Sequence, residues 1–239
     1  NPQSAILVCE GAQIAASNFT SNVAGSTFTW TNSNTSIGLS LSGTGNFATF
    51  TAQNSSSQNQ VSTLSVKAQT AFCNSTAVNY TITVKPTPLL NLPSSLVTCA
   101  GSSIAATTFS SIPAGASFTW ANSNSNIGLA ASGNTSVPSF IATNSTATVL
   151  VSTISSIPTL NGCLGVSGNY TITVNPTPVV TLPTAISVCN GDTLSSISFS
   201  STPSGASFNW TNTQTSIGIA GNGTGAIAAF TATNTSTVL

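Results

Sequence analysis

The chain has 239 residues and almost no charge, with two basic and two acidic side chains and no His or Met. Charged residues make up 2% of it, against about 25% in ordinary globular proteins. Without His or a basic patch, the composition argues against serine-triad catalysis and against nucleic-acid partners. No apolar run approaches the ~20 residues of a membrane helix, so membrane insertion is not expected. Hydrophobic residues still form 40% of the chain, which predicts folded domains.

Landmark residues recur every 90 positions along the chain. They are Cys9, Cys99 and Cys189; Trp30, Trp120 and Trp210; Gly25, Gly115 and Gly205; Phe50, Phe140 and Phe230; and Cys73 with Cys163. The segment NYTITV at 79–84 returns intact at 169–174. So many landmarks in one register indicate a tandem repeat.

Paired prolines mark the joints between repeats, as KPTP at 85–88 and NPTP at 175–178. Proline fixes φ and removes a backbone donor, which predicts short, rather stiff joints. The expected units are therefore 1–85, 86–175 and 176–239, and the third is incomplete. It stops before the strands that correspond to 61–84. We expect this sequence to be an internal or processed fragment. Either the covalent chain continues past Leu239, which is the simpler reading, or another subunit donates the missing strand.

Within the first unit, five runs rich in β-branched and aromatic residues predict strands. In chain order they are 4–9, 26–30, 46–52, 61–68 and 77–84. Turn-forming runs such as SNVAG, TNSNTSIG and SGTGN separate them. In the last run Tyr80, Ile82 and Val84 alternate with polar residues, as in a half-buried strand. Several short strands per 90 residues predict an all-β fold of tandem, immunoglobulin-like antiparallel β-sandwiches in a linear array.

The cysteines have one spacing in both complete units, since Cys9 and Cys73 are 64 residues apart and so are Cys99 and Cys163. We interpret them as intradomain disulfides Cys9–Cys73 and Cys99–Cys163, with Cys189 unpaired in this fragment. Free buried thiols are the alternative. A metal site is disfavoured because two thiols without nearby His or acid cannot complete a zinc shell. Disulfides place the protein outside the cytoplasm.

The repeated Trp is either a carbohydrate-stacking platform or a core residue. A Phe stands two positions before it in every unit, as in Phe28 and Trp30. Residues two apart on a strand share a face, so the interpretation of the Trp as a core residue is favoured.

The sequence offers no candidate catalytic or metal-binding residues. The acids Glu10 and Asp192 fall in different units and at different repeat positions, so a paired-carboxylate site cannot form within one domain. Calcium needs several converging oxygen ligands, and each unit has at most one acid. We therefore expect no enzyme activity, no metal and no cofactor.

The repeated segments resemble those of a known family. The strings FTWTNSNTSIGL (28–39), FTWANSNSNIGL (118–129) and FNWTNTQTSIGI (208–219), with NYTITVNPTP (169–178), resemble the PKD-like, immunoglobulin-fold repeats of giant surface proteins in Bacteroidota. The resemblance implies an extracellular, cell-surface location, export by the type IX system, and a spacer or adhesive role of the gliding-adhesin kind. The acidic Gly-Asp-Gly turn of such domains is replaced here by Ser-Ile-Gly.

One short motif resembles a glycosylation acceptor. Asp192-Thr193-Leu194 is similar to the Asp-Ser/Thr-aliphatic sequence that Bacteroidota O-glycosylate, which makes Thr193 a candidate site. The alternative is an ordinary acid just after a Cys-Asn-Gly turn.

Three function classes are consistent with these observations. The first is a structural or adhesive repeat segment that forms a stalk, fibre or filament. Its partners are other repeats of the same chain or like subunits. The second is a module that binds a surface glycan or a partner, and the third is a spacer in a secreted hydrolase. Near-identical units without a unit-specific polar site favour the first class.

Overall fold

The computed structural model describes residues 4–235. The first unit contains seven strands and one 3-10 turn. They are β1 (Ile6–Cys9), β2 (Gln13–Ile14), β3 (Thr27–Asn32), the turn Thr35–Ile37, β4 (Ser42–Thr44), β5 (Phe50–Thr51), β6 (Gln60–Gln69) and β7 (Val78–Lys85).

The first unit is a two-layer β-sandwich. One layer is a five-stranded sheet in the order β1-β7-β6-β3-β4, and β2 and β5 pair in the other layer. All pairs are antiparallel except β1 with β7, which run parallel from Ile6 opposite Ile82 to Cys9 opposite Lys85. The predicted alternation holds in β7, where Tyr80, Ile82 and Val84 are buried.

The second unit repeats this architecture with additional strands. They are β8 (Leu89–Asn91), β9 (Leu96–Cys99), β10 (Ser103–Ile104), β11 (Ser110–Ile112), β12 (Ser117–Asn122), the 3-10 turn Ser125–Ile127, β13 (Ser132–Gly133), β14 (Phe140–Ile141), β15 (Leu150–Leu160), β16 (Cys163–Leu164) and β17 (Gly168–Asn175). The main sheet has the order β13-β12-β15-β17-β9, and β16 forms a hairpin with β15. The pairs β10–β14 and β8–β11 complete the unit.

The third unit has an open core. Its strands are β18 (Val179–Thr181), β19 (Thr193–Leu194), β20 (Ser200–Thr202), β21 (Asn209–Thr211), β22 (Asn222–Thr224) and β23 (Phe230–Thr231), with a 3-10 turn at Thr215–Ile217. Among residues 4–235, strand β21 pairs with β22 alone, whereas its counterparts β3 and β12 also pair with a long strand. The uncovered side is a groove of about 820 Å³ lined by side chains such as Leu182, Ile186 and Phe199.

Trp30 and Trp120 are core residues, as the Phe at the second preceding position predicted, whereas Trp210 of the third unit is partly exposed. Trp30 and Trp120 are buried within the hydrophobic clusters of their units. Each indole lies over a glycine of the neighbouring strand: a Cβ on Gly43 would stand 2.3 Å from Trp30 Cζ2, and one on Gly133 2.6 Å from Trp120 Cζ2. A side chain at either glycine would displace the indole.

A buried amide two residues after each Trp holds the loop that follows. Asn32 Nδ2 donates to the carbonyl of Leu39 at 2.8 Å and to that of the next residue at 3.2 Å. Its Oδ1 accepts from the backbone N–H of Asn34 at 3.0 Å and from the buried Ser62 hydroxyl. Because both ends of the amide are satisfied, the polar group is tolerated in the core and orders the TNSNTSIG segment.

The all-β prediction is confirmed. Most strand limits shift by one or two residues, the short strands β2 and β4 were not predicted, and the largest difference lies at 46–52. The sequence predicts a single strand over 46–52, but only Phe50–Thr51 pairs with a neighbour. Phe47 instead exchanges bonds with Ser17, whose hydroxyl accepts from Phe47 N at 2.9 Å and whose N–H donates to Phe47 O at 3.1 Å. This local link takes the segment out of the regular ladder.

Candidate functional site: the junction between units

The disulfide in the structure crosses from one unit to the next. Cys9 is bonded to Cys163 across 154 residues, with a Cα–Cα separation of 5.6 Å. Cys73 and Cys99 are free and exposed. The predicted pairs Cys9–Cys73 and Cys99–Cys163 are therefore wrong, and the covalent link lies between the first and second units.

The geometry of a single unit explains this correction. Cys9 lies opposite Lys85, at the C-terminal end of β7. Cys73 lies in the turn that precedes β7, near Val78 at its other end. Seven residues of extended strand separate these ends by roughly 23 Å, whereas a disulfide requires Cα atoms about 4.4–6.8 Å apart. The two cysteines of one unit therefore face opposite neighbours.

The Cys163 hairpin is shaped to reach the preceding unit. Strands β15 and β16 are joined at Leu160 and Cys163 by the two residues between them, Asn161 and Gly162. Both have positive φ, 50° and 82°, which favours Asn and Gly and gives a tight hairpin turn. At its tip, the carbonyl of Asn161 accepts a hydrogen bond of 2.6 Å from the Lys85 Nζ of the first unit.

The joint KPTP is packed against the second unit. Pro88 is fully buried, and a Cβ on Gly165 would stand only 2.0 Å from the Pro88 carbonyl oxygen. The next residues form β8, which pairs with β11, and Leu90 packs against the core of the second unit. The linker is therefore part of the following domain, and it offers little freedom for bending.

Two of the four charged residues lie at this junction. Glu10 Oε2 accepts a hydrogen bond of 2.9 Å from the Thr87 hydroxyl, in addition to the Lys85 contact described above. The next junction repeats the backbone bond without charges: Glu10 N donates to the carbonyl of Lys85 and Ala100 N to that of Asn175, both at 2.9 Å. There Thr177 Oγ1 donates to the carbonyl of Ala100 at 3.3 Å, in place of the Thr87 bond to a carboxylate. The contact geometry is thus a property of the repeat, and the charges are specific to the first junction.

The second unit matches a known family. Residues 96–178 match the PKD-like domain family. The search of curated proteins gave no match.

Among solved structures, titin domains I67-I69 in an E-to-A mutated variant align with a TM-score of 0.49 and 10% identity, over 97% of this chain and 87% of that chain. Human CDH23 EC21-23 aligns with a TM-score of 0.42 and 12% identity, over 97% of this chain and 93% of that chain. Dpr2 Ig1-Ig2 in complex with DIP-Theta Ig1-Ig3 gives a TM-score of 0.40 and 9% identity, over 98% and 89%. At these identities the likeness concerns the fold alone.

The remaining predicted site residues lie on the surface of the third unit. Cys189 is a free, exposed thiol. Thr193 is exposed on β19 and pairs with Thr231. The carboxylate of Asp192 accepts a hydrogen bond of 2.8 Å from the Cys189 N–H, so this acid closes the turn that contains it. Glycosylation of Thr193 stays a prediction.

The described residues hold no group of three or more His, Cys, Asp or Glu side chains that could bind a metal ion. A crevice of about 330 Å³ between the first two units is lined by Glu10, Asn54, Thr87 and Pro113 among others, and Glu10 is the one charged residue in it. Between residues 4 and 235 no helix is long and apolar enough to cross a membrane.

Aromatic side chains are almost all buried or partly buried within the three units. Within residues 4–235, Phe72 is the one exposed aromatic residue, and 96% of it is accessible to solvent. A glycan-stacking platform usually needs an exposed aromatic surface, which the repeated Trp residues do not supply.

Most residues of the junction were not predicted from the sequence. Asn161-Gly162 between two strand-like runs is a hairpin signal that could have been noticed. Glycines at 165 and 168, which have no counterpart at 75 and 78, also mark a close approach of two chain segments. No local signal identifies Lys85 as a contact, because its partner is a backbone carbonyl 76 residues away.

Proposed function

We propose that this chain is a segment of an extracellular stalk or fibre built from PKD-like units, in which a disulfide locks neighbouring units together. The observation that carries the proposal is the bond between Cys9 and Cys163. The proposed units are 1–85, 86–175 and 176–239. The role is passive: the chain transmits force and sets distance, and it performs no reaction.

The position of the bond determines what happens when the array is pulled. Cys9 lies at the end of the first strand of its unit, and Cys163 lies shortly before the last strand of the next. A force applied along the array therefore passes through the disulfide and bypasses most of both domains. A stalk of this kind keeps its length under tension because the shielded residues cannot extend.

The junction contacts support a stiff connection. The buried Pro88, the pairing of β8 with β11 and the Lys85–Asn161 hydrogen bond restrict the joint at three separate places. Independent domain motion is the default expectation for small interfaces between domains. A covalent bond beside the linker gives the two units a second connection, which opposes both bending and twisting.

Chemistry and surface composition support an extracellular site. A structural disulfide persists in oxidising compartments and is rare in the cytoplasm. We propose a cell-surface location and, from the resemblance of the repeated motifs, an origin in a type IX-secreted protein of Bacteroidota. Other repeats of the chain or like subunits are the proposed partners. A surface glycan is a weaker candidate, because Phe72 is the one exposed aromatic residue in the part of the chain that the structure describes.

Backbone ¹⁵N relaxation of the whole chain tests the stiff junction. We expect the first and second units to share one rotational correlation time. In the double variant C9S/C163S, the correlation time of the first unit should fall below that of the second. The variant C99S is the matched control, because it removes an exposed free thiol and should leave the relaxation unchanged. Independent tumbling of the two units in the unaltered protein would refute the proposal.

A further inference from the structure

The ammonium group of Lys85 lies beside the disulfide that joins the first two units. Lys85 is paired with Cys9 across the parallel strands β1 and β7, and paired residues of neighbouring strands project from the same face of a sheet. Its Nζ donates to the carbonyl of Asn161 at 2.6 Å and would stand 3.9 Å from a Cβ on Gly162. The Cys9 Sγ lies 3.9 Å from the carbonyl oxygen of the same glycine, and Cys163 follows that glycine in the chain. The ammonium and the disulfide are therefore neighbours.

No other charged side chain neutralises this ammonium within residues 4–235. Glu10 is the acid at the junction, and its carboxylate accepts from the Thr87 hydroxyl and forms no ion pair with Lys85. Lys67 lies near the opposite end of the sheet, and Asp192 belongs to the third unit. The hairpin β15–β16 contributes no titratable group besides the junction cysteine itself. The field at the disulfide is thus set by one positive charge.

The two sulfurs of the bond differ in their access to solvent. Cys163 is fully buried, whereas Cys9 is partly exposed. A thiol that arrives from solvent therefore reaches the sulfur of Cys9, and Cys163 is the leaving group. A neighbouring positive charge favours the thiolate form of a cysteine, and a less basic thiolate leaves faster. The charge of Lys85 should therefore lower the barrier to exchange.

We propose that this junction is a thiol–disulfide exchange site at which small thiols open the Cys9–Cys163 bond, and that Lys85 accelerates both opening and closure. This inference rests on the disulfide-locked array proposed above and adds a chemical control of the lock. At the next junction Asn175 stands in the place of Lys85. Assistance by a charge is therefore specific to the junction between the first and second units.

Opening of the bond proceeds in two exchange steps with a small thiol as the reductant. The thiolate of the reagent attacks the Cys9 Sγ, the S–S bond breaks, and Cys163 leaves as a thiolate that then takes a proton from water. A second reagent thiolate attacks the reagent sulfur of this mixed disulfide and releases the Cys9 thiolate. One protein disulfide is reduced to two thiols, and two small thiols are oxidised to one small disulfide. Closure is the reverse sequence.

The test measures opening in the full chain with Cys73, Cys99 and Cys189 replaced by Ser, so that the junction holds the one disulfide. The reagent is 2-mercaptoethanol, which is uncharged as a thiol, and the opened protein is alkylated and counted by mass spectrometry. At pH 7, Lys85→Met should open about threefold to tenfold more slowly than the background protein. Lys85→Arg keeps the charge and should restore the rate to within about twofold. Lys67→Met is the matched control, because it removes an exposed lysine of the same sheet, and its rate should not change.

The pH dependence of closure separates an effect of charge from a lost structural contact. Reduced protein is mixed with the oxidised reagent, and the rate of closure is compared between Lys85→Met and the background protein. The variant should be several-fold slower at pH 6–7, and the difference should disappear near pH 10. At that pH thiols ionise without assistance, and lysine itself begins to lose its proton. A ratio that stays constant from pH 6 to 10 would mean that Lys85 only holds the hairpin, and would overturn the inference.

Three other results would also contradict the proposal. They are opening of Lys85→Met at the background rate, a loss in Lys85→Arg as large as in Lys85→Met, and a first mixed disulfide, trapped with iodoacetamide, that maps to Cys163. The relaxation experiment on the oxidised protein reports separately on the proposed function. Independent tumbling of the two units would refute the stiff stalk, while the effect of Lys85 on exchange could still be measured. The two failures are therefore distinguishable.

Discussion

Removing the junction disulfide should destabilise both units that it joins, and the structure sets the size of the effect. Cys9 lies beside Lys85 in the folded first unit. When the second unit alone unfolds, the bond therefore closes a loop from about position 85 to Cys163, roughly 78 residues. The chain-entropy relation for such a loop gives about 4.5 kcal/mol. When the first unit alone unfolds, the disulfide to the folded second unit closes a loop of similar length. The first unit should therefore lose a similar free energy of unfolding.

Urea unfolding followed by tryptophan fluorescence measures this effect, since each unit contains one Trp. Comparing C9S/C163S with the unaltered protein, we expect the midpoints of the first two units to fall by about 2 M, for a slope near 2 kcal/mol/M. The third unit should not change, and C99S should behave as the unaltered protein does. A loss below about 1 kcal/mol in both units would refute the assignment of the bond to this junction.

Three further predictions concern the fold and its pH dependence. Gly133→Ala should destabilise the second unit by about 1–3 kcal/mol in urea unfolding, because its Cβ would overlap the Trp120 indole; an unchanged midpoint would contradict that packing. Asn122→Ala should lower the free energy of unfolding of the second unit by about 2–4 kcal/mol in the same assay, because it removes hydrogen bonds from buried loop groups. A loss under about 0.5 kcal/mol would show that the network is dispensable. Burial raises the pKa of Tyr80 to about 12 and also raises that of Tyr170. The protonated forms therefore stabilise the fold fully below pH 10, and that stability is lost as the pH rises from about 10 to 12. Circular dichroism should show little change in the fold from pH 3 to 9, and unfolding at more alkaline pH. A sharp unfolding transition on the acid side would contradict this prediction.

The sequence predicted the β fold well because the same residue pattern recurs in each repeat. Trp30 and Trp120 follow a Phe at the same offset, and both are buried where that offset placed them. The alternation through Tyr80, Ile82 and Val84 likewise fixed the inward face of the last strand. These features depend on residues close together in the chain, where strand geometry leaves few alternatives.

The cysteine pairing could not be predicted in the same way. A bond within each unit and a bond to the next unit recur with the same 90-residue period, so both are consistent with the spacing of Cys9, Cys73, Cys99 and Cys163. What separates them is the end of the sandwich at which each cysteine lies. That follows from the parallel pairing of β1 with β7, which brings Cys9 beside Lys85. Strand pairing between distant segments is a three-dimensional property that periodicity does not encode.

Single-molecule force spectroscopy of the chain tests the central claim most directly. With the bond intact, pulling at the two ends should leave the 154-residue span from Cys9 to Cys163 unextended. Adding a reductant, or using C9S/C163S, should release about 540 Å of additional contour length, at roughly 3.5 Å per residue. We expect this gain in contour length only after the bond is removed. Full extension of the oxidised, unaltered chain would contradict a disulfide-locked stalk.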